Sequence, residues 1–181
     1  MINSSGKVIW ITGLSGAGKS TLAHEVTALL RSQGESVVLL DGDELREVFG
    51  ATASDANSYR REGRLALAMQ YAQLCRIIAS QGVTVVIATI SLFHDVHIWN
   101  RTNVPGYFEV YIKVPLEELR RRDPKGIYRS FHEGKLSHVA GLDLPVDEPK
   151  APDLVIEYEP GYPVVMLAED LLKLLNRTKT V

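Results

Sequence analysis

The run Gly13-Leu14-Ser15-Gly16-Ala17-Gly18-Lys19-Ser20 spells G-x-x-x-x-G-K-[ST], a spacing suited to gripping a polyphosphate. Glycines let the backbone curl until successive N–H groups face one centre, and a helix opening at the end of the motif adds its positive pole there. Lys19 can then reach the β- and γ-phosphates of a nucleotide, while the Ser20 hydroxyl is placed to ligate Mg²⁺. A second chemical group is Asp41-Gly42-Asp43. A carboxylate beside the phosphates can accept the proton of an attacking hydroxyl or hold Mg²⁺ through water, both of which phosphoryl transfer needs. Asp43 is the better candidate base and Asp41 the metal-side helper; the plainer alternative is an Asp-Gly turn with a helix N-cap at Asp43.

These groups work only if the right elements carry them. Val8 to Thr12 is a β-branched apolar run that stops at the glycine-rich turn, and Thr21 to Arg31 has helical spacing, so the motif sits between strand and helix as its chemistry requires. Ser36 to Leu40 reads as a second strand that delivers Asp41 at its end, followed by a short helix to Phe49. Tyr59 to Ser80 places Leu65, Ala68, Met69, Ala72, Cys75 and Ala79 on one helical face. Further strands are predicted over Val83 to Ile90, Phe108 to Val114 and Leu154 to Ile156, and helices over Val96 to Arg101, Leu116 to Arg122 and Val164 to Leu175. Alternation of this kind predicts an α/β fold, a parallel β-sheet of the P-loop NTPase type flanked by helices on both faces. Residues 123–152, rich in Gly, Pro, Lys and His and without periodicity, read as a lid segment.

The chain has 181 residues, 45% of them apolar, enough to close one core, and the whole of it reads as one domain. A net charge of -2 gives no basic field for polymeric nucleic acid. Cys75 is the one cysteine, so disulfides within the chain and cysteine-cluster zinc sites are excluded, which suits a reducing cytoplasm. The longest apolar run, Val83 to Phe93, is too short to span a bilayer, and no secretory leader is legible at the N-terminus. Arg120 and Arg121 read as a solvated face, with Arg122 a candidate nucleotide contact; Cys75 reads as core. Trp99, Asn100 and Arg101 either line a cleft or pack, with packing favoured for Trp99. His94, His97, His132 and His138 lack metal-ligand spacing.

Several blocks taken together resemble adenylylsulfate kinase. They are GLSGAGKST (Gly13 to Thr21), LDGD followed by Arg46, the Ile90-Ser91 pair, FEVYIKVPLEELRRRDPKGIY (Phe108 to Tyr128) and GLDLPVDEPKAPDLVIE (Gly141 to Glu157). The resemblance spans about residues 6 to 157. It implies ATP and Mg²⁺ as cofactors, with Gly13, Leu14, Ser15, Gly16, Ala17, Gly18, Lys19, Ser20, Thr21, Arg122 and Lys125 on the ATP side. It implies a small nucleotide acceptor held by Asp43, Arg46, Tyr59, Arg64, Ile90 and Ser91, and a homodimer. Lys19, Asp41, Asp43 and Ser91 would carry the transfer, and Lys125 would lie in the lid. The plainer alternative for Arg46 and Arg64 is a solvated helix face, and for Ser91 a helix cap.

Departures from that pattern fall on the acceptor side. Where the family has N-I-R-R, this chain has Leu67-Ala68-Met69-Gln70; S-P-Y-R becomes Ser91-Leu92-Phe93-His94; and a lysine and a phenylalanine become Ser137 and Val139. The ATISLFH wording (Ala88 to His94) and WNR (Trp99 to Arg101) is similar to a branch acting on cytidine diphosphoramidate. The expected acceptor is therefore adenylyl sulfate or a related nucleotide such as cytidine diphosphoramidate, phosphorylated on the ribose 3′-hydroxyl. Two other readings are a nucleotide-gated binding protein, for which no guanine-reading N-K-x-D segment is found, and a catalytically weakened kinase-shaped scaffold.

Overall fold

Five consecutive residues, Val8–Thr12 (β1), are buried on both faces, as an interior strand of a covered sheet is. The structure is a computed structural model that describes residues 6–50 and 59–177. Its sheet has the order β2-β3-β1-β4-β5, with β2 (Val37–Asp41), β3 (Thr84–Thr89), β4 (Tyr107–Lys113) and β5 (Leu154–Glu157). Every pairing is parallel, with Thr12 opposite Thr89 on one side and Tyr111 on the other. All the strand C-termini therefore lie at one edge, where ligands collect in open α/β sheets.

Side chains of β1 alternate between two cores, as a period of two dictates. Ile9 and Ile11 pack with α1 (Lys19–Ser32) and α7 (Val164–Arg177), through Leu22, Val26, Leu30, Leu171 and Leu175. Val8 and Trp10 pack with α3 (Arg61–Ala79) and α4 (His94–Asn103), through Ala68, Ala72, Cys75 and Val96. Each fully buried leucine of this kind contributes roughly 1.5–3 kcal/mol, so the position of β1 between helical layers is strongly fixed. Helices on both faces and strands in parallel reproduce the expected architecture, and Cys75 and Trp99 belong to the second core.

The remaining helices are α2 (Gly42–Val48), α5 (Leu116–Arg122) and α6 (Ile127–His132). The expectation of an aperiodic segment over residues 123–152 is corrected at α6. Asp123 makes that short helix possible: its carboxylate accepts from the Tyr128 and Arg129 N–H groups at 3.1 and 3.0 Å, satisfying donors that a helix start leaves open. Six residues give no sustained period to read. Beyond α6, Asp143 accepts from the His138 and Val139 N–H groups at 2.8 and 2.7 Å, and Ala140 bridges to Leu144. No helix among the described residues is long and apolar enough to cross a membrane.

Candidate active site

The loop between β1 and α1 takes its shape from three glycines. Gly13, Gly16 and Gly18 have φ of 152°, 78° and 96°, and a Cβ at Gly13 would stand 2.6 Å from the Ile112 carbonyl oxygen. Gly18 is the N-cap of α1 and supplies no side-chain cap, so the first N–H groups of that helix are left for a ligand. Lys19 Nζ donates to the Leu14 carbonyl at 2.8 Å, bridging the loop. Burial, and next the charge of Lys125, pull the Lys19 ammonium down to about 8. A bound phosphate would oppose both effects.

At the end of β2, Asp41 caps α2 by accepting from the Asp43 N–H at 2.9 Å. Its other oxygen accepts from the Ser20 hydroxyl at 2.6 Å. The alternative of Asp43 as N-cap is thus corrected, because the residue before the helix makes that bond and leaves the Asp43 carboxylate free to face the cleft. Asp43 is ion-paired with Lys125, which follows α5. Arg122 stands over the Tyr158 ring at 4.6 Å, pairs with Glu118 at 2.7 Å and reaches the Gly16 carbonyl at 3.5 Å.

One cavity of about 760 Å³ joins these groups to the other candidates. Ser15, Gly16, Gly18, Lys19, Ser20, Thr21, Asp41, Asp43, Arg122 and Lys125 line it, as do Arg46, Tyr59, Arg64, Ile90 and Ser91. Gly13 and Leu14 stand outside its wall, and Ala17 faces a second cavity. Arg46 and Arg64 lie 4.8 and 5.5 Å from the Tyr59 ring centroid. Arg64 also donates to the Tyr59 and His138 carbonyls at 2.9 Å each, so it is a structural tie rather than a solvated arginine. Burial, and then the neighbouring Arg46 charge, lower its pKa. Ser91 does not cap α4, whose N-cap is Phe93; its hydroxyl meets that of Thr89 at 2.7 Å. The Ile90 carbonyl accepts from the Thr12 hydroxyl.

The departures in the sequence separate on this map. Leu67, Leu92, Phe93, Ser137 and Val139 line the cavity, whereas Ala68, Met69, Gln70 and His94 do not. At the two positions where the family pattern has arginines, Gln70 is exposed and Met69, on α3, packs against the second core. The second cavity, about 450 Å³, shares Gly18, Thr21 and Arg122 with the first and runs past Ile112, Glu157 and Tyr158 to Tyr162.

A profile of the family described as adenylylsulphate kinase matches residues 5–157. The chain belongs to the adenylylsulphate kinase family. It is 38% identical over 149 residues to the cytidine diphosphoramidate kinase of Campylobacter jejuni, covering 82% of this chain and 84% of that one. It is 36% identical over 159 residues to the probable adenylyl-sulfate kinase of Aeropyrum pernix, covering 85% and 84%. Among solved structures, the Mycobacterium tuberculosis APS kinase in complex with AMPPNP and APS matches with a TM-score of 0.84 at 32% identity, covering 95% of this chain and 98% of that one. This kinase is an ATP-dependent phosphotransferase with the P-loop kinase fold of its relatives.

Four residues of the kinase carry site geometry that sequence reasoning missed. The Tyr128 hydroxyl donates to the Ser15 carbonyl at 2.8 Å, tying α6 to the phosphate loop; its place in the RDPKGIY block was the available signal. Thr89 partners Ser91, Tyr71 donates to the Gly42 carbonyl at 3.1 Å, and Tyr158 receives Arg122. Tyr71 and Tyr158 have no local pattern that marks them, because each acts across the fold. Replacing Tyr128 with Phe removes the donor to Ser15 and costs about 1 kcal/mol. Initial-rate kinetics should then show KM for ATP raised about fivefold with acceptor KM unchanged; an unaltered ATP KM would remove this strut from nucleotide binding.

Proposed function

We propose that this kinase transfers the γ-phosphate of ATP to the ribose 3′-hydroxyl of a small nucleotide carrying a diphosphate-like group. The observation that carries the reading is the single cavity in which the phosphate loop and Asp43 face Arg46, Arg64 and Tyr59. Two anionic groups can meet there across one carboxylate, the arrangement that in-line transfer needs.

ATP enters with its phosphates on the N–H groups of residues 13–20 and its nucleoside along the second cavity, between Arg122 with Tyr158 and the start of α1. Lys19 and Lys125 offset charge on the transferring phosphoryl group. Asp43, released from Lys125 as the lysine turns to phosphate, accepts the proton of the 3′-hydroxyl or orients it. Ser20 Oγ and Asp41 Oδ2, 2.6 Å apart, are the hard oxygen donors that suit Mg²⁺. Bound there, Mg²⁺ would supply charge neutralisation to the phosphates. Arg46 and Arg64 hold the acceptor's anionic group, and Tyr59 offers its ring to the base.

The base half of the cavity favours cytidine diphosphoramidate. Leu67 and Val139 present no hydrogen-bonding side chain and no aromatic face there, so two partners that the family pattern offers a base are absent, and the 38% identity to the Campylobacter jejuni cytidine diphosphoramidate kinase supports that acceptor. The purified kinase should phosphorylate cytidine diphosphoramidate faster than adenylyl sulfate when both are offered with MgATP and the products are identified by mass. Faster transfer to adenylyl sulfate would reverse the acceptor assignment, and transfer to neither would overturn the function. Replacing Asp43 with Asn should lower kcat about a hundredfold or more while sparing ATP binding; undiminished turnover would take Asp43 out of the chemistry.

The enzyme works as a homodimer in a reducing cytoplasm. Its buried lone Cys75 suits that compartment, and exposed Ile77 and Ile98 on the paired helices α3 and α4 offer apolar surface for an assembly to cover. Light scattering should return twice the 20.0 kDa chain mass, and a monomer mass would refute the dimer.

A further inference from the structure

Ser91 is one of three non-glycine residues with positive φ among those described, at 27°. It is buried, and it lines the cavity on the acceptor side. A non-glycine residue in this region costs of order 1–3 kcal/mol and persists only where its surroundings fix it. Three contacts do so. The Ser91 hydroxyl meets Thr89 Oγ1 at 2.7 Å. The Ser91 carbonyl accepts from the Phe93 N–H at 3.0 Å. The same carbonyl lies 3.1 Å from Nε2 of His97, which reaches back from α4.

The chemistry of the last contact decides the histidine's state. A carbonyl only accepts, so Nε2 carries the hydrogen and Nδ1 is bare. Nδ1 is buried and has no hydrogen-bond partner among the described residues, which gives a proton there nothing to hold it. Glu109 Oε1, 3.8 Å from Nε2 on the β4 side, favours the hydrogen at that nitrogen. Burial also pulls the ring down to about 4, so the neutral donor form prevails at neutral pH.

The hydroxyls of Thr89 and Ser91 share one hydrogen between them, which leaves one O–H to donate elsewhere. Both residues line the cavity. We propose that His97 is a positioning residue for the acceptor nucleotide: its Nε2–H holds the Ser91 carbonyl back, and this keeps Ser91 in the strained conformation that aims the Thr89–Ser91 hydroxyl pair at the acceptor. The inference rests on the reading of this half of the cavity as the acceptor site. No contact of His97 with substrate is involved, so its effect is indirect and confined to the acceptor.

The test compares His97→Leu, which removes the donor, with His97→Gln, whose amide N–H can replace it, alongside Ser91→Ala and the Ser91→Ala/His97→Leu double variant. Kinetics with cytidine diphosphoramidate and MgATP varied separately should show acceptor KM raised about tenfold in His97→Leu, the size of one buried hydrogen bond. ATP KM should stay within about twofold, and His97→Gln should recover most of the loss. The double variant should be no worse than the poorer single one, as expected of residues acting through one contact. A His97→Leu enzyme with wild-type acceptor KM and only a lower Tm would overturn the proposal, as would a Gln variant no better than Leu. An unchanged acceptor KM in Ser91→Ala would overturn it too, while the wild-type enzyme's phosphoryl transfer left the functional reading standing. Should His97→Leu fail to fold, His97→Asn replaces it: its N–H is one bond too short to reach, and its acceptor KM should rise where that of His97→Gln does not.

Discussion

A backbone that turns its N–H groups inward onto an anion must turn its carbonyls outward, and each buried carbonyl then needs a donor of its own. The phosphate loop meets this demand from four different directions. Leu14 O receives Lys19 and the Ala17 N–H, Ser15 O receives Tyr128, Gly16 O receives Arg122, and Gly18 O receives the Leu22 N–H of α1. The loop is therefore braced by its own lysine, by α5, by α6 and by α1. If any of these elements shifted, a carbonyl would lose its partner and the anion site its shape. The segment over residues 123–152 is, on this view, part of the loop's support as well as a cover for the cleft.

Charge is arranged on the same economy. The chain is slightly acidic overall, at -2, yet Lys19, Arg46, Arg64, Arg122 and Lys125 share one cavity, whose described lining includes the carboxylates Asp41 and Asp43. Like charges raise one another's cost: burial and Lys125 depress Lys19, and burial and Arg46 depress Arg64. Polyphosphate relieves both at once. In the proposed mechanism the Lys125–Asp43 pair gives way to Lys125–phosphate, which leaves Asp43 to the acceptor. A cluster of cations around one cavity suits it to anionic ligands.

The sheet, its order of elements and the two phosphate-side motifs were legible in the sequence because each is a local pattern of period two, period 3.6 or fixed glycine spacing. Boundaries moved by a residue or two: α4 begins at His94 rather than Val96, and α3 at Arg61 rather than Tyr59. What was not legible is tertiary. Asp41 rather than Asp43 caps α2 since the chain leaves β2 already turning. α6 is too short to show a period and depends on Asp123 for its first bonds. Tyr128 and His97 act on a residue far away in the chain or through a backbone atom, which no spacing rule encodes. Arg64, open to a solvated reading from sequence, is tied to backbone on two sides.

The map of departures explains why the acceptor can change while the reaction does not. Phosphate binding depends on backbone conformation that four elements brace together, so a substitution there disturbs the fold. On the proposed reading, base recognition rests on Tyr59 and on side chains from α3, the turn after β3 and the strap near residue 139. Leu67, Phe93, Ser137 and Val139 can each be exchanged with no loop carbonyl losing its donor. Met69 and Gln70, which look equally divergent in sequence, lie off the cavity and bear on packing and surface instead. On the proposed reading, acceptor identity is thus written in wall positions that the phosphate loop's backbone does not need.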